Sequence, residues 1–470
     1  MVLSVDSPSN GTTPSTQKPH LLFTATPADG HTLRPLNIAR ELAKRGFPIT
    51  FLGGAAYRAK VEAFGGELLP VPEVEGLEDP ERLAIPPGMQ RIMWDLKHIF
   101  LDQMIPRLEL VKAALVKIHA QSPSRPIVLL TEMGFLGVNP LSYGAPLPEG
   151  LPMRCAPKVI NLGVSTYLNS SIDTGPVGTN LPPDSTESGR LRNQLLEQLM
   201  TAGPFAPIIA YYEDLMRQAG AVRFKTSGSL FDMWYSGHDL TLQLCPPSLE
   251  YIRSDQPEHI KFAGTLPVQP LPADLKYPPF WHEVTTPEDP DRRRTIVTVT
   301  QGTVATDYSD LVIPTIHALR DVKDLLVVAV LGKKDAVLPD DDHLSSTTTT
   351  PLPANTRVVD YLHYDAILPY TSVFVMNAGY GGVCHGLTNG VPMVLAGASE
   401  DKPEVAMRAE YAGIGVNLRT GQPTELQIRD AVHDILANPR YKNRAMEIKR
   451  ENEDMKVIDV VENHVIDRAA

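Results

Sequence analysis

Between His20 and Gly54 the chain reads as an apolar run, an amphipathic helix and a second apolar run. HLLFTATPADGH (20–31) predicts a buried strand and a turn. A helix pattern follows from Leu33 to Arg45, with Leu36, Ala39, Leu42 and Ala43 on one side and Gly46 as its stop. PITFLGG (48–54) predicts the next strand. Two strands joined through a helix cannot be a hairpin, so the sheet must be parallel and the crossover right-handed.

The same alternation recurs along the chain. Strands are expected at IVLLTEM (127–133) and KVINLGV (158–164), and helices around Leu191 to Met200 and Ile208 to Gln218. Seven prolines then crowd the stretch from Pro267 to Pro290, which ends in DRRR. Beyond it the pattern restarts: strands at 295–302, 325–332, 356–362, 372–377, 391–397 and 414–418, then an amphipathic helix at 426–439. A charged helical tail runs from Tyr441 to Arg468. The fold class is therefore α/β, with two Rossmann-like doubly wound domains facing across a cleft. The expected boundaries are a flexible tail at 1–18, a first domain at 19–266, a linker at 267–293, a second domain at 294–440 and terminal helices at 441–470.

Composition narrows the function. The net charge of −12 argues against nucleic acid as a partner. Cys155, Cys245 and Cys384 match no metal spacing and read as free thiols of a reducing compartment. The first eighteen residues lack an apolar signal core, and no apolar run reaches the roughly 20 residues of a membrane helix. A cytoplasmic location is expected, and the sequons at Asn10 and Asn169 carry no weight there. Asp340 to Asp342 and Thr347 to Thr350 read as one solvated loop.

In open parallel sheets ligands bind beyond the carboxyl ends of the strands. Four such ends in the second domain carry polar or aromatic residues: Gln301-Gly302-Thr303, Tyr361-Leu362-His363, Asn377, and Ser399-Glu400-Asp401-Lys402. Asn377 opens the loop of FVMNAGYGGVCHGLTNGVPM (374–393), which has no lysine or arginine. A helix N-terminus binds an anion through its unpaired N–H groups and dipole, and Gly381 and Gly382 permit close approach. The same glycines also suit a tight turn needed only for packing. Tyr361 reads either as a core aromatic or as a stacking surface for a flat base. Asp401 reads either as a helix cap or, with Lys402, as a grip on sugar hydroxyls.

In the first domain His31 follows Gly30 at the top of the first strand. An imidazole there suits removal of a proton from a hydroxyl, given a carboxylate to orient it. Glu132, at the end of IVLLTE, is the candidate partner. Both residues also admit a plain surface role.

With these residues in view, the chain resembles the family 1 UDP-dependent glycosyltransferases of the GT-B fold, in a microbial small-molecule branch. TPADGHTLRPLNIARELAKRGFPITF matches the family's opening, and the stretch from DYLHYDAILPY to YAGIGVNL matches its donor-binding signature. The resemblance covers nearly everything from residue 20 to 440. It implies inverting transfer of a hexose, glucose first, from a UDP-sugar to a hydroxyl of a small lipophilic acceptor such as a phenol, polyketide, sterol or lipid. It makes His31 the general base and Glu132 its partner, where the family usually has aspartate. Donor contacts fall on Thr303, Tyr361, Leu362, Asn377, Gly379, Tyr380, Gly381, Gly382, His385, Asp401 and Lys402. Asn377 stands where many members have a phosphate-binding histidine, and His385 where they have a ribose-binding glutamate. No cofactor or divalent metal is implied. Residues 85–110, with Met89, Met93 and Trp94, read as an acceptor wall or an ordinary helical core. The rival readings are a GT-B-type sugar-nucleotide epimerase and a non-catalytic two-domain binding protein.

Overall fold

The structure is a computed structural model that describes residues 17–73, 79–86, 88–152, 156–268, 270–272, 274–285, 294–302, 305–339 and 352–469. Thr303, Cys155, Asn10, the Asp340–Asp342 and Thr347–Thr350 loop, most of the expected tail and the last eight linker positions lie outside the described residues.

Two wholly parallel sheets organise the described chain. The first contains β1 (His20–Thr24), β2 (Ile49–Gly54), β3 (Glu67–Val71), β4 (Ile127–Glu132), β5 (Lys158–Gly163), β6 (Leu240–Gln243) and β7 (Ile260–Phe262), in the order β3-β2-β1-β4-β5-β6-β7. The second contains β8 (Thr295–Thr300), β9 (Leu325–Val330), β10 (Thr356–Val359), β11 (Val373–Met376), β12 (Met393–Leu395) and β13 (Gly415–Asn417), in the order β10-β9-β8-β11-β12-β13. In each sheet the order reverses once, between β1 and β4 and between β8 and β11. Helices diverge to opposite faces at such a point and leave a crevice above the strand ends. His31 and Glu132 lie above the first reversal, and Gln301 and Asn377 above the second.

The strand interiors are continuous apolar runs, as sheets covered on both faces require. Leu21, Leu22 and Phe23 of β1 and Val327, Val328 and Ala329 of β9 are fully buried. Three strands of the first sheet, β3, β6 and β7, were not anticipated. Each is short, and none presents the long apolar run by which β1 and β4 are recognised. The first helix runs Asp29–Lys44, four residues earlier than its apolar periodicity suggests. Asp29 complements the dipole of that first turn, and His31 sits within it.

The charged tail is two helices, Pro439–Met455 and Val457–Ala469, broken at Lys456, whose φ of 51° is left-handed. Ala445 and Ile448 of the first pack in the second lobe's core, whereas Val457, Val461 and Val465 of the second pack in the first lobe's core. The chain thus returns to the lobe in which it began. Part of the proline-rich stretch is ordered on the second lobe: Val284 enters that core, and Glu283 takes two hydrogen bonds of 2.7 Å from Arg357.

Candidate active site

The first-lobe half of the site is a histidine held by a buried carboxylate. Nδ1 of His31 lies 2.8 Å from Oε2 of Glu132. The same oxygen accepts the Gly134 N–H at 2.7 Å, and Oε1 accepts the Thr26 N–H at 3.0 Å. Both peptide groups can only donate, so Glu132 is held as an acceptor and His31 must carry its proton on Nδ1. Nε2 is then left as the basic nitrogen. Burial opposes an imidazolium at His31, yet the Glu132 charge and hydrogen bond, with a smaller contribution from Asp401, outweigh it and raise the pKa above 6.5. Burial likewise works to raise Glu132, but the His31 charge and the hydrogen bonds hold its pKa below the usual carboxylate value. Gly134 is required beside this pair: a Cβ there would stand 2.7 Å from Phe100 and 3.0 Å from the His31 ring.

The second-lobe half is built on the helix Tyr380–Asn389. Val383 is the first residue of that helix whose N–H reaches back a full turn, to Gly379, so the earlier amides have no intrahelical partner. The two glycines divide in role. Nothing lies within 4 Å of a Cβ placed on Gly381, so this position is open. A Cβ on Gly382 would meet Met376 Cε at 2.5 Å, so the second glycine serves packing against β11 and not close approach of a ligand. Gly379 has only the Asn377 side chain near it.

Several expected donor contacts are engaged elsewhere. Asn377 Nδ2 donates one of its two hydrogens to the Gln301 carbonyl at 2.5 Å, tying the ends of β8 and β11 together. The Lys402 ammonium is bound by Ser399 Oγ at 3.0 Å and by the Glu400 carboxylate, so it is not a free cation for the glycine loop. His385 Nδ1 pairs with Asp365 Oδ1 at 2.9 Å, with its ring edge-on to Tyr364. Leu362 is a buried core residue whose available groups are its backbone atoms. Tyr361 is 47% exposed, so it is a surface aromatic and not a core one. Burial and the charge of Asp29 from the other lobe both raise its phenol pKa. Asp401 precedes the helix Lys402–Tyr411 but makes no side-chain cap; Oδ2 instead accepts Ser165 Oγ of the first lobe at 2.5 Å.

Sequence reasoning named Tyr380 and Asp401 but not the contacts by which they join the lobes, and it missed Arg34, Glu250 and Arg408. Arg34 lies one turn after His31, donates to the carbonyls of Val164 at 3.1 Å and Tyr380 at 3.2 Å, and stacks 4.5 Å over the Tyr380 ring. Tyr380 is itself buried between the lobes, its hydroxyl accepting Gln243 Nε2 at 3.2 Å. Arg408 donates to Glu250 at 2.6 Å and to Glu404 at 2.9 Å, all within the interface. Only contact across the lobes reveals these pairs; each residue alone reads as a charge on a helix or loop.

Met89, Met93 and Trp94 lie on the helix Met89–Asp95, no residue of which is fully buried. Both methionines pack on the first-lobe core beside Ile92, Phe100 and Val177. The Trp94 ring lies 4.4 Å from the His98 ring between centroids, tilted by 39°. Phe100 links this wall to the base, 5.7 Å from the His31 ring. Among the described residues no group of three or more His, Cys, Asp and Glu is arranged to hold a metal, and no helix is long and apolar enough to cross a membrane.

Comparison with known proteins bears on this arrangement. Residues 327–463 match the family described as erythromycin biosynthesis protein CIII-like, C-terminal domain. UDP-glucosyltransferase 1 of Beauveria bassiana (strain ARSEF 2860) is 43% identical over 95% of this chain and 94% of its own length. The chain belongs to the family 1 UDP-dependent glycosyltransferases. UDP-glucosyltransferase A1 of Starmerella bombicola is 33% identical over 96% of this chain and 93% of its own. The crystal structure of the glycotransferase of kitacinnamycin superposes with a TM-score of 0.69 at 18% identity, covering 97% of this chain and 100% of its own. The fold is GT-B, and the chain is a UDP-glycosyltransferase; the epimerase reading finds no support in these relatives.

Proposed function

We propose that the chain transfers glucose from UDP-glucose to a hydroxyl of a small lipophilic acceptor, with inversion at the anomeric carbon. One observation carries the reading. Asp401 reaches from the second lobe to Ser165 Oγ, 2.5 Å away just beyond β5, at the same strand ends that carry the His31–Glu132 pair. On this reading a proton acceptor at His31 Nε2 and a carboxylate able to hold a sugar hydroxyl share one cleft.

The acceptor lies along Met89, Met93, Trp94 and Phe100 with its hydroxyl on Nε2. UDP-glucose lies on the second lobe, with uracil on Tyr361 and the backbone of Leu362. The diphosphate sits at the amides of the helix Tyr380–Asn389, beside open Gly381, where the helix dipole and main-chain N–H groups balance its charge without a metal. The acceptor oxygen attacks the anomeric carbon as the bond to the diphosphate oxygen breaks. The hydroxyl proton passes to Nε2, and Glu132 stabilises the imidazolium that results. Glucose is supported by the names of the Beauveria and Starmerella relatives, both UDP-glucosyltransferases.

The test is incubation with UDP-glucose and a panel of phenols and hydroxylated lipids. Free UDP and a mass gain of one hexose on an acceptor are expected. Ligand-induced stabilisation with no product from any acceptor would instead favour a binding protein.

A further inference from the structure

We propose that a small cavity between Asn169 and Glu197 is a second polar subsite of the acceptor pocket, taking a hydroxyl that the acceptor carries far from the one glycosylated. The inference rests on the acceptor placement given above and adds a requirement to it.

The cavity lies in the first lobe, walled by Phe205 and Phe231, with Asn169, Glu197, Ser170, Thr201 and Ser229 as polar lining. Its volume is about 20 Å³. That is room for one water-sized group and not for a ring. Asn169 is 6% exposed, and its Oδ1 has no hydrogen-bond partner among the described residues. A buried acceptor atom of this kind calls for a donor. Glu197, on the helix Glu187–Ala202, takes a long hydrogen bond of 3.4 Å from Thr201. Burial, reinforced by Asp232, pushes its carboxyl pKa up to about 7. Near neutral pH the group therefore exists in both protonation states.

A hydroxyl satisfies both groups when Glu197 is protonated: it donates to Asn169 Oδ1 and accepts from the Glu197 carboxyl, a pairing that itself favours the protonated state. A carboxylate would be repelled by Glu197 and Asp232, and a methyl terminus would leave Asn169 Oδ1 unpaired.

Packed aromatic rings lie between the cavity and the base: His31 is 5.7 Å from Phe100, Phe100 6.1 Å from Trp234, and Trp234 5.5 Å from Phe231 of the cavity wall, all between ring centroids. On the opposite side Val177 lines the cavity, and the next residue, Gly178, lies against the acceptor wall, a Cβ there standing 2.9 Å from Met89 Cε. The subsite thus stands at the far end of the proposed acceptor wall, three rings from the reacting oxygen.

The test is titration calorimetry of dodecanol, and of the dodecanediol with a hydroxyl at each end, into the intact chain saturated with UDP, so that no transfer occurs. The diol is expected to bind about tenfold more tightly, the worth of one buried hydrogen bond. N169L and E197L should each abolish that preference while leaving dodecanol affinity unchanged, and E197Q, which keeps shape and hydrogen bonding, should retain it. Equal affinities, no diol binding, or a preference that survives both leucine variants would overturn the subsite and leave the cavity as a site for water. Supplying UDP-glucose reads the proposed function separately. Transfer without a diol preference overturns the subsite alone; a diol preference without transfer overturns the proposed glucosylation of such an alcohol at His31 alone.

Discussion

Oε2 of Glu132 stands 2.8 Å from Nδ1 of His31, although the two residues are 101 positions apart in sequence. They meet because β1 and β4 are parallel neighbours, with Thr24 in register with Thr131 and their hydroxyls 2.8 Å apart. Glutamate spans the gap, and its remaining capacity is filled by two peptide N–H groups. H31A should therefore lose about 10²-fold or more in kcat while binding UDP as before. E132Q should also cost on the order of 10²-fold or more, because an amide cannot accept from His31, Thr26 and Gly134 together. Steady-state kinetics beside UDP calorimetry checks both, and unchanged turnover in H31A removes this base from the mechanism.

The pH profile follows from the direction of the His31 shift. The neutral imidazole is the base, and the raised pKa means that protons compete for it above 6.5. The acid limb of kcat/KM should lie above that value in the wild type and move down in E132Q, which removes the favourable charge. The stability sign is opposite for the two partners. A raised His31 pKa contributes stability below the unfolded value, which fades as pH rises through the folded one; a lowered Glu132 pKa contributes above its unfolded value and is lost on acidification through the folded one. A limb that stays fixed in E132Q would show that Glu132 does not set it.

The fold was largely legible because β1, β2, β4, β8 and β9 are strong apolar runs separated by helical periodicity. β6 and β7 escaped because neither presents a long apolar run of its own; β6 forms by pairing on β5, and β7 by pairing on β6. At the site, His31 and Glu132 were readable from their positions at strand ends. Side-chain direction was not. That Asn377 turns to Gln301 and Asp401 to Ser165 depends on which carbonyl or hydroxyl stands nearest, and the second of these pairs crosses between lobes.

The lobe interface makes its own prediction. Glu250 and Arg408 are both nearly fully buried and come from opposite lobes. Removing one charge of such a pair strands the other, and E250Q should cost about 3 kcal/mol, the low end of the range because Glu404 still binds Arg408. Denaturant titration of the two variants E250Q and E404Q should rank the first as the more damaging.

Tyr361 offers a test of the base platform that stability does not confound. At 47% exposure its ring supports no core. Y361A should weaken UDP binding by about 1–3 kcal/mol, the worth of stacking on a base, with no change in melting temperature. Y361W should restore it. UDP affinity unaffected by Y361A would place the uracil elsewhere.

The paired glycines provide the sharpest separation of packing from binding. Both lie in the first turn of one helix, and alanine is preferred to glycine in a helix by about 1 kcal/mol. At Gly381 nothing opposes the new methyl, so G381A should raise stability by up to about that amount. The same methyl would stand in the open space assigned to the diphosphate, so KM for UDP-glucose should rise. At Gly382 the methyl would meet Met376 Cε at 2.5 Å, and overpacking there should cost about 1–3 kcal/mol. Met376 is flexible and can yield in part, but it is 2% exposed and packed in the second lobe's core, which limits how far it can move. G382A should therefore lose stability first and donor affinity only as a consequence. Melting temperature and donor KM should both rise for G381A, whereas for G382A the melting temperature should fall and any change in donor KM should be a rise that follows it. A G381A variant that is more stable and keeps its donor KM would mean that the diphosphate does not lie against this turn.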